Sequence, residues 1–134
     1  MTHLLDTHAW IQRALGVNLP PLAEQTMAKH ADSLAIADIS LWEAAKLVEL
    51  GRLELSVPLS EFFRLSVTPE LVVLPISPAI AERIATLEVS GFHKDPADQI
   101  IVATALVHRI TLISDDSRIR QWRGVPTLWK TFRK

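Results

Sequence analysis

Short apolar runs alternate along this chain with longer stretches whose hydrophobic residues recur every three or four positions, the respective marks of buried strands and amphipathic helices. His3-Leu4-Leu5 predicts a buried strand ending on Asp6, followed by a helix over 9–15. Pro20-Pro21 interrupts the pattern, and a second helix is predicted over 22–30. A strand over 33–37 leads into a helix over 41–50 that Gly51 ends. Residues 53–57 predict a short extended piece, and 59–67 an amphipathic helix with Leu59, Phe62, Phe63 and Ser66 along one side. A third strand (71–76) precedes a helix over 78–89 with proline in its first turn. The helix over 95–108 is apolar nearly all round, which predicts a central, buried position. A strand over 110–113, a short helix over 117–121 and a last strand over 127–129 complete the order.

Such regular alternation predicts an α/β fold with a mostly parallel sheet of four to five strands, covered on both faces by helices. In sheets of this kind ligands bind beyond the carboxyl ends of the strands. The position of each polar residue at a strand end therefore carries functional weight. No repeat, low-complexity tract or linker divides the 134 residues, which fit a single domain spanning 1–134.

Composition narrows the chemistry. Hydrophobic residues make up 49% of the chain, yet the longest apolar run, 100–107, is far too short for a membrane span. No secretory signal stands at the N-terminus, and a cytoplasmic location is expected. The absence of cysteine excludes disulfides, a thiol nucleophile and thiolate metal sites. Net charge is only −1, but its distribution is uneven: from Arg118 to Lys134 there are six basic residues and no acid, interleaved with Trp122, Trp129 and Phe132. That combination suits a phosphate backbone and unpaired bases, and equally a solvated end whose aromatics lie in the core.

The acids are the candidate chemistry. Asp6 ends the first strand, Glu43 falls on the first turn after the second, Asp98 opens the most apolar helix, and Asp116 follows the fourth strand with Asp115 beside it. Singly each has a structural role available. Asp6, Asp95 and Asp116 suit helix N-caps, and Ser40-x-x-Glu43 reads as a capping box. Together they are expected at one edge of the sheet. Two like charges about 4 Å apart repel by about 4 kcal/mol at an effective dielectric near 20. Several such groups stay ionised only with a counterion, and a hard divalent cation on oxygen ligands, Mg²⁺ or Mn²⁺, is the simplest. Thr7 and Ser114, next to the acids, are candidates to hold an attacking water or to cap.

With these residues in view, the chain resembles the PIN-domain ribonucleases, and among them the VapC toxins of type II toxin–antitoxin pairs. The likeness spans essentially the whole chain. It rests on Leu5-Asp6-Thr7-His8, on Ser40-x-Trp42-Glu43-x-x-x-Lys46, on the run from Phe92 through Asp95-Pro96-Ala97-Asp98-Gln99 to Ala105, and on Ile113-Ser114-Asp115-Asp116. The resemblance implies a PIN-like α/β/α sandwich and catalytic, metal-site roles for Asp6, Glu43, Asp98 and Asp116, with Asp115 and Asp95 as further ligand candidates. It also implies an RNA substrate such as tRNA or rRNA, cut to 5′-phosphate and 3′-hydroxyl ends, a homodimer, and a cognate VapB-like antitoxin. Two departures stand out. Asp98-Gln99 replaces an Asp-Arg common among relatives, removing a cation near the site, and Ser114-Asp115-Asp116 stands for Thr-x-Asp.

Phe62 and Phe63 are candidates for an apolar groove that takes an antitoxin helix, and equally for core. Trp42 is expected to pack in the core, and His8 and His93 to make local hydrogen bonds. Haloacid-dehalogenase-like phosphatases require Asp-x-Asp after the first strand, and here Asp6-Thr7-His8 stands instead. A nuclease acting on DNA, or a non-catalytic RNA- or antitoxin-binding module, remains open at this level.

Overall fold

The computed structural model describes all residues 1–134. Its elements run β1 (His3–Leu5), α1 (Thr7–Leu15), α2 (Pro21–Lys29), β2 (Leu34–Ala37), α3 (Ile39–Glu49), α4 (Leu59–Ser66), β3 (Val72–Leu74), α5 (Pro78–Leu87), α6 (Pro96–His108), β4 (Thr111–Ile113), α7 (Ser117–Trp122), β5 (Thr127–Leu128) and β6 (Phe132–Arg133). The sheet order is β3-β2-β1-β4-β5-β6, parallel throughout except for the antiparallel β5–β6 pair.

Strand side chains alternate between the two faces, and the parallel register aligns them across the sheet. Leu4 lies opposite Ala35 and Leu112, and all three join a core with Ile80 and Leu87 of α5, Val102 of α6 and Ile119 of α7. Leu5 lies opposite Ile36 and Ile113, which join a second core with Trp10 of α1, Met27 of α2, Ala44 of α3 and Phe62 of α4. Helices thus cover both faces, giving the expected three-layer α/β/α sandwich. All four residues of β2 are fully buried, as the β-branched and aliphatic run requires in a sheet with no solvated face.

Three local expectations change. The sheet has six strands, because the chain turns back after Trp129 and pairs Phe132 with Leu128. Residues 53–57 form no strand: Leu53, Leu55 and Val57 pack on the Trp10 core through their side chains while their backbone joins no ladder. Helix α3 starts at Ile39, so Ser40 lies in its first turn, Glu43 a turn further in, and the two make no capping box.

Helix α6 behaves as its composition dictates. Asp95 caps it, accepting from the Asp98 N–H at 3.2 Å, Pro96 occupies the first turn, and Ile101, Val102, Ala103 and Ala105 are buried. Helix α1 is held just as firmly. Trp10 is 1% exposed, packs against Phe62 and Phe63, and directs its indole N–H at the Ser66 carbonyl. Truncating such a side chain leaves a large cavity. Trp10→Ala is expected to lower the unfolding free energy by about 3–5 kcal/mol in a urea titration. A loss below about 1 kcal/mol would show that α1 is not anchored by this contact.

Candidate active site

The carboxyl ends of β1, β2 and β4 meet at one edge, and four segments bring acids there. Asp6 leaves β1 with its N–H bonded to the Ile113 carbonyl at 3.0 Å, which ties the ends of β1 and β4 together. It is the N-cap of α1, its Oδ1 accepting from Ala9 N–H at 2.7 Å, and it is 6% exposed. Thr7, the next residue, is buried; its hydroxyl hydrogen-bonds Ser40 at 2.9 Å and donates to Glu43 Oε1. Glu43 is therefore held from α1, not by its own helix end.

Asp98 sits on the first turn of α6 with a mostly buried side chain. Its Oδ2 faces His93 Nε2 at 2.8 Å and Arg118 Nη2 at 3.4 Å. Asp116 caps α7 through Oδ1, which accepts from Ile119 N–H at 3.0 Å, while its own N–H donates to the Ser114 hydroxyl at 3.0 Å. Ser114 is fully buried and shapes this turn. Asp115 is exposed on the rim, and Asp95 adds its carboxylate from the α6 cap. Asp6, Glu43, Asp95, Asp98, Asp115 and Asp116 all line one cleft of about 420 Å³, with Thr7, His8 and Gln12 on its wall and Arg118 as its one fixed cation.

Burial and crowding disturb the ionisation of this set. Desolvation raises the Asp6 pKa to about 6, opposed by the Ser114 hydroxyl and the Ala9 N–H, with Asp98 pushing it further up. Glu43 is raised by burial and then by Asp98 and Asp95, against the hydrogen bond from Thr7. Asp98 is raised by burial and by Asp95 and Asp116, against its bond with His93. Asp98 thus couples to every other inward acid and stands at the electrostatic centre.

The donor set fits a hard divalent cation: oxygen ligands only, no thiolate, and an excess of negative charge that nothing in the cleft neutralises. As the side chains stand, no three of them converge at ligand spacing. One oxygen of each inward acid is engaged by a protein donor, Asp6 by Ala9, Glu43 by Thr7, Asp98 by His93 and Asp116 by Ile119. Closing a ligand shell would need side-chain rotation about these anchors.

His93 and Arg118 both grip Asp98. His93 makes the local hydrogen bond expected of it, whereas Arg118 was not singled out as a site residue, its only signal being a cation two residues past Asp116. Arg118 also supplies a cation where Gln99 lacks one. Gln99 is buried and its amide donates to the His93 carbonyl at 3.1 Å and to Glu88 at 3.3 Å, so it fixes the loop that carries His93. Trp42 is not core: it is 55% exposed, because Glu43 takes the inward position on α3 and the preceding side chain points away. Phe62 is buried in the core, and Phe63 is half-buried against it, stacked parallel to Trp10.

Because the folded state holds the Asp6 proton up to about pH 6 and the unfolded chain releases it near 3.8, stability falls as pH rises between those values. Ionised Asp6 then costs about 3 kcal/mol on the metal-free fold above pH 6. Asp6→Asn keeps an N-cap acceptor and removes the charge. In chelator, its melting temperature is expected to match wild type at pH 4 and to exceed it by several degrees at pH 7, the gap opening between. Parallel melting curves across that range would refute the assignment.

A model of the PIN domain matches residues 3–124. Ribonuclease VapC22 of Mycobacterium tuberculosis is 37% identical over 123 residues, covering 91% of this chain and 92% of that protein. Among solved structures, VapBC2 from Rickettsia felis, crystallised on a DNA fragment from its promoter, superposes with a TM-score of 0.71 at 15% identity, covering 96% of this chain and 99% of the other. FitAcB from Neisseria gonorrhoeae gives a TM-score of 0.71 at 22% identity, covering 95% and 96%. The matched span runs from β1 through α7, taking in every acid of the cleft, and the chain belongs to the PIN-domain family, in its VapC branch.

Proposed function

We propose that this chain is a Mg²⁺-dependent endoribonuclease, the toxin of a toxin–antitoxin pair, with Asp6, Glu43, Asp98 and Asp116 as its working acids. The observation that carries the reading is the convergence of desolvated, mutually repelling carboxylates from separate segments on one cleft at the carboxyl edge of the sheet. RNA as substrate is supported by the 37%-identical relative, itself named a ribonuclease, and by the cationic surface beside the cleft. The solved relatives were captured as toxin–antitoxin complexes, which supports a VapB-like antitoxin as partner. A homodimer in the cytoplasm completes the proposal, and no helix is long and apolar enough to cross a membrane.

Asp6, Glu43, Asp98 and Asp116 would hold Mg²⁺ or Mn²⁺, with Asp115 and Asp95 within reach of the same cleft. A divalent ion bound there supplies positive charge that polarises the phosphodiester and favours ionisation of the attacking water. The protein's own part is placement. Asp6 is rigid because its cap bond and the β1–β4 tie fix it, and Thr7 sets the direction of Glu43. His93 and Arg118 hold Asp98, and Arg118 on the rim is placed to meet a non-bridging phosphate oxygen. Attack by water on phosphorus with departure of the 3′ oxygen leaves 5′-phosphate and 3′-hydroxyl ends.

Purified protein is expected to cut total cellular RNA with Mg²⁺ or Mn²⁺ and to stop in EDTA. Asp98→Asn is expected to lower the rate at least about 100-fold while melting as wild type does. Sequencing of 5′-phosphate ends after induction, against an Asp6→Asn control, locates the cuts. Cleavage by Asp98→Asn at the wild-type rate, or in EDTA, would sink the mechanism. RNA binding without any cleavage would instead favour a non-catalytic module.

Thr7 offers a finer test. Thr7→Val removes the donor to Glu43 but keeps the shape, and is expected to lower cleavage about tenfold and raise the Mg²⁺ needed for half-maximal rate. Thr7→Ser should restore both. A silent Thr7→Val variant would mean that Glu43 needs no positioning.

A further inference from the structure

The cleft of acids opens on one side into a second groove of opposite charge. Asp115 lines both. The second groove, about 360 Å³, is bordered by Arg120, Lys130 and Arg133, with Ser117, Gln121 and Thr131 between them. It adjoins a further hollow lined by Arg123, Phe132 and Lys134, the two sharing Thr131 and Arg133. The turn from β5 to β6 builds this surface: pairing of Phe132 with Leu128 folds the last residues back beside α7 and stacks their cations together.

These cations are unneutralised. None of Arg120, Arg123, Lys130, Arg133 and Lys134 forms an ion pair, although the chain as a whole carries slightly more acid than base. Arg120 is held in place by neutral oxygens alone, donating to the Ser114 carbonyl at 3.2 Å, the Thr131 carbonyl at 3.2 Å and the Thr131 hydroxyl at 2.9 Å. Its pKa is lowered by burial and then by the crowding Arg133 guanidinium, with Asp115 at the groove mouth opposing the shift. Phe132 presents an aromatic face to solvent at 53% exposure. Fixed cations in a groove with an exposed ring are the elements that hold single-stranded nucleic acid.

We infer that the groove along the β5–β6 turn is a track for the phosphate backbone of single-stranded RNA, delivering the strand across Asp115 to the acidic cleft. The inference rests on the RNA-cleaving reading above and assigns the direction in which the substrate leaves the site. Phosphates lie along Arg120, Lys130, Arg133 and Lys134, and a base flanking the cut stacks on Phe132. The sequence-level alternative, a cationic end whose aromatics sit in the core, holds for Trp129, which is buried, and fails for Phe132.

The test uses the exposed cations, since Arg120 also ties Ser114 to Thr131. Binding of a fluorescein-labelled 20-nucleotide single-stranded RNA is followed by anisotropy in EDTA from 50 to 300 mM salt. The triple variant Lys130→Gln, Arg133→Gln, Lys134→Gln is expected to reduce the slope of log Kd against log salt by about 2, at about 0.7 per lost phosphate contact. Affinity at 100 mM salt should fall about tenfold or more. With Mg²⁺, KM for the same RNA should rise about as much while kcat stays within about twofold. The charge-keeping triple Lys130→Arg, Arg133→Lys, Lys134→Arg should behave as wild type.

A control triple far from the groove, Lys29→Gln, Arg52→Gln, Arg83→Gln, should leave the slope in place, and equal losses in both triples would overturn the track. An unchanged slope in the groove variant, with RNA cleavage intact, overturns the track and leaves the nuclease reading standing. Wild-type protein that neither binds nor cuts RNA at 50 mM salt overturns both.

Discussion

Ionised carboxylates withdrawn from water repel one another, and in this chain the parallel sheet itself imposes the withdrawal. Strands β1 and β4 run side by side in fixed register, so the residues that follow them emerge together. Asp6 and Asp116 are those residues, and α3 and α6 press Glu43 and Asp98 into the same space. The hydrophobic cores on the two faces set the register, and the register sets the repulsion. A fold that tolerates such crowding without a cation does so through protons and hydrogen bonds: Asp6 keeps its proton to about pH 6, and each inward acid has a protein donor.

The same edge separates charge by element. Acids come from the starts of α1, α3, α6 and α7, while the cations come from the body of α7 and the β5–β6 turn. Only His93 and Arg118 stand against the acids, the groove cations form no ion pair, and the two populations adjoin at Asp115. A polyanion neutralised by divalent cation at one end and by arginine and lysine along the other would satisfy both at once. Each half of the surface therefore makes chemical sense in the presence of the other's ligand.

Much of this was legible in the residues. The order of strands and helices, the parallel sheet covered on both faces, and the clustering of Asp6, Glu43, Asp98 and Asp116 follow from periodicity and from the rule about strand ends. What escaped did so for identifiable reasons. Strand β6 is two residues long and exposed, too short for any alternation to register. Residues 53–57 alternate as a strand does, yet only their side chains found a partner. Helix α3 begins two residues earlier than the apolar pattern suggested, which leaves Glu43 inside the helix as an inward acid held by Thr7 rather than a cap. Tertiary hydrogen bonds of this kind, like that of Arg118 to Asp98, join residues far apart in sequence and leave no local trace.

The capping bonds have a consequence for how this protein can be silenced. Asp6 and Asp116 each carry a charge into the cleft and also accept the backbone N–H that starts a helix, so one side chain serves two ends. Asparagine and serine keep a side-chain oxygen for the helix start and discard the charge, whereas apolar replacements lose both. A chain that loses charge at these two positions yet stays folded therefore has few replacements available. Well-folded variants should carry amide or hydroxyl there in place of acid, and poorly folded ones apolar side chains.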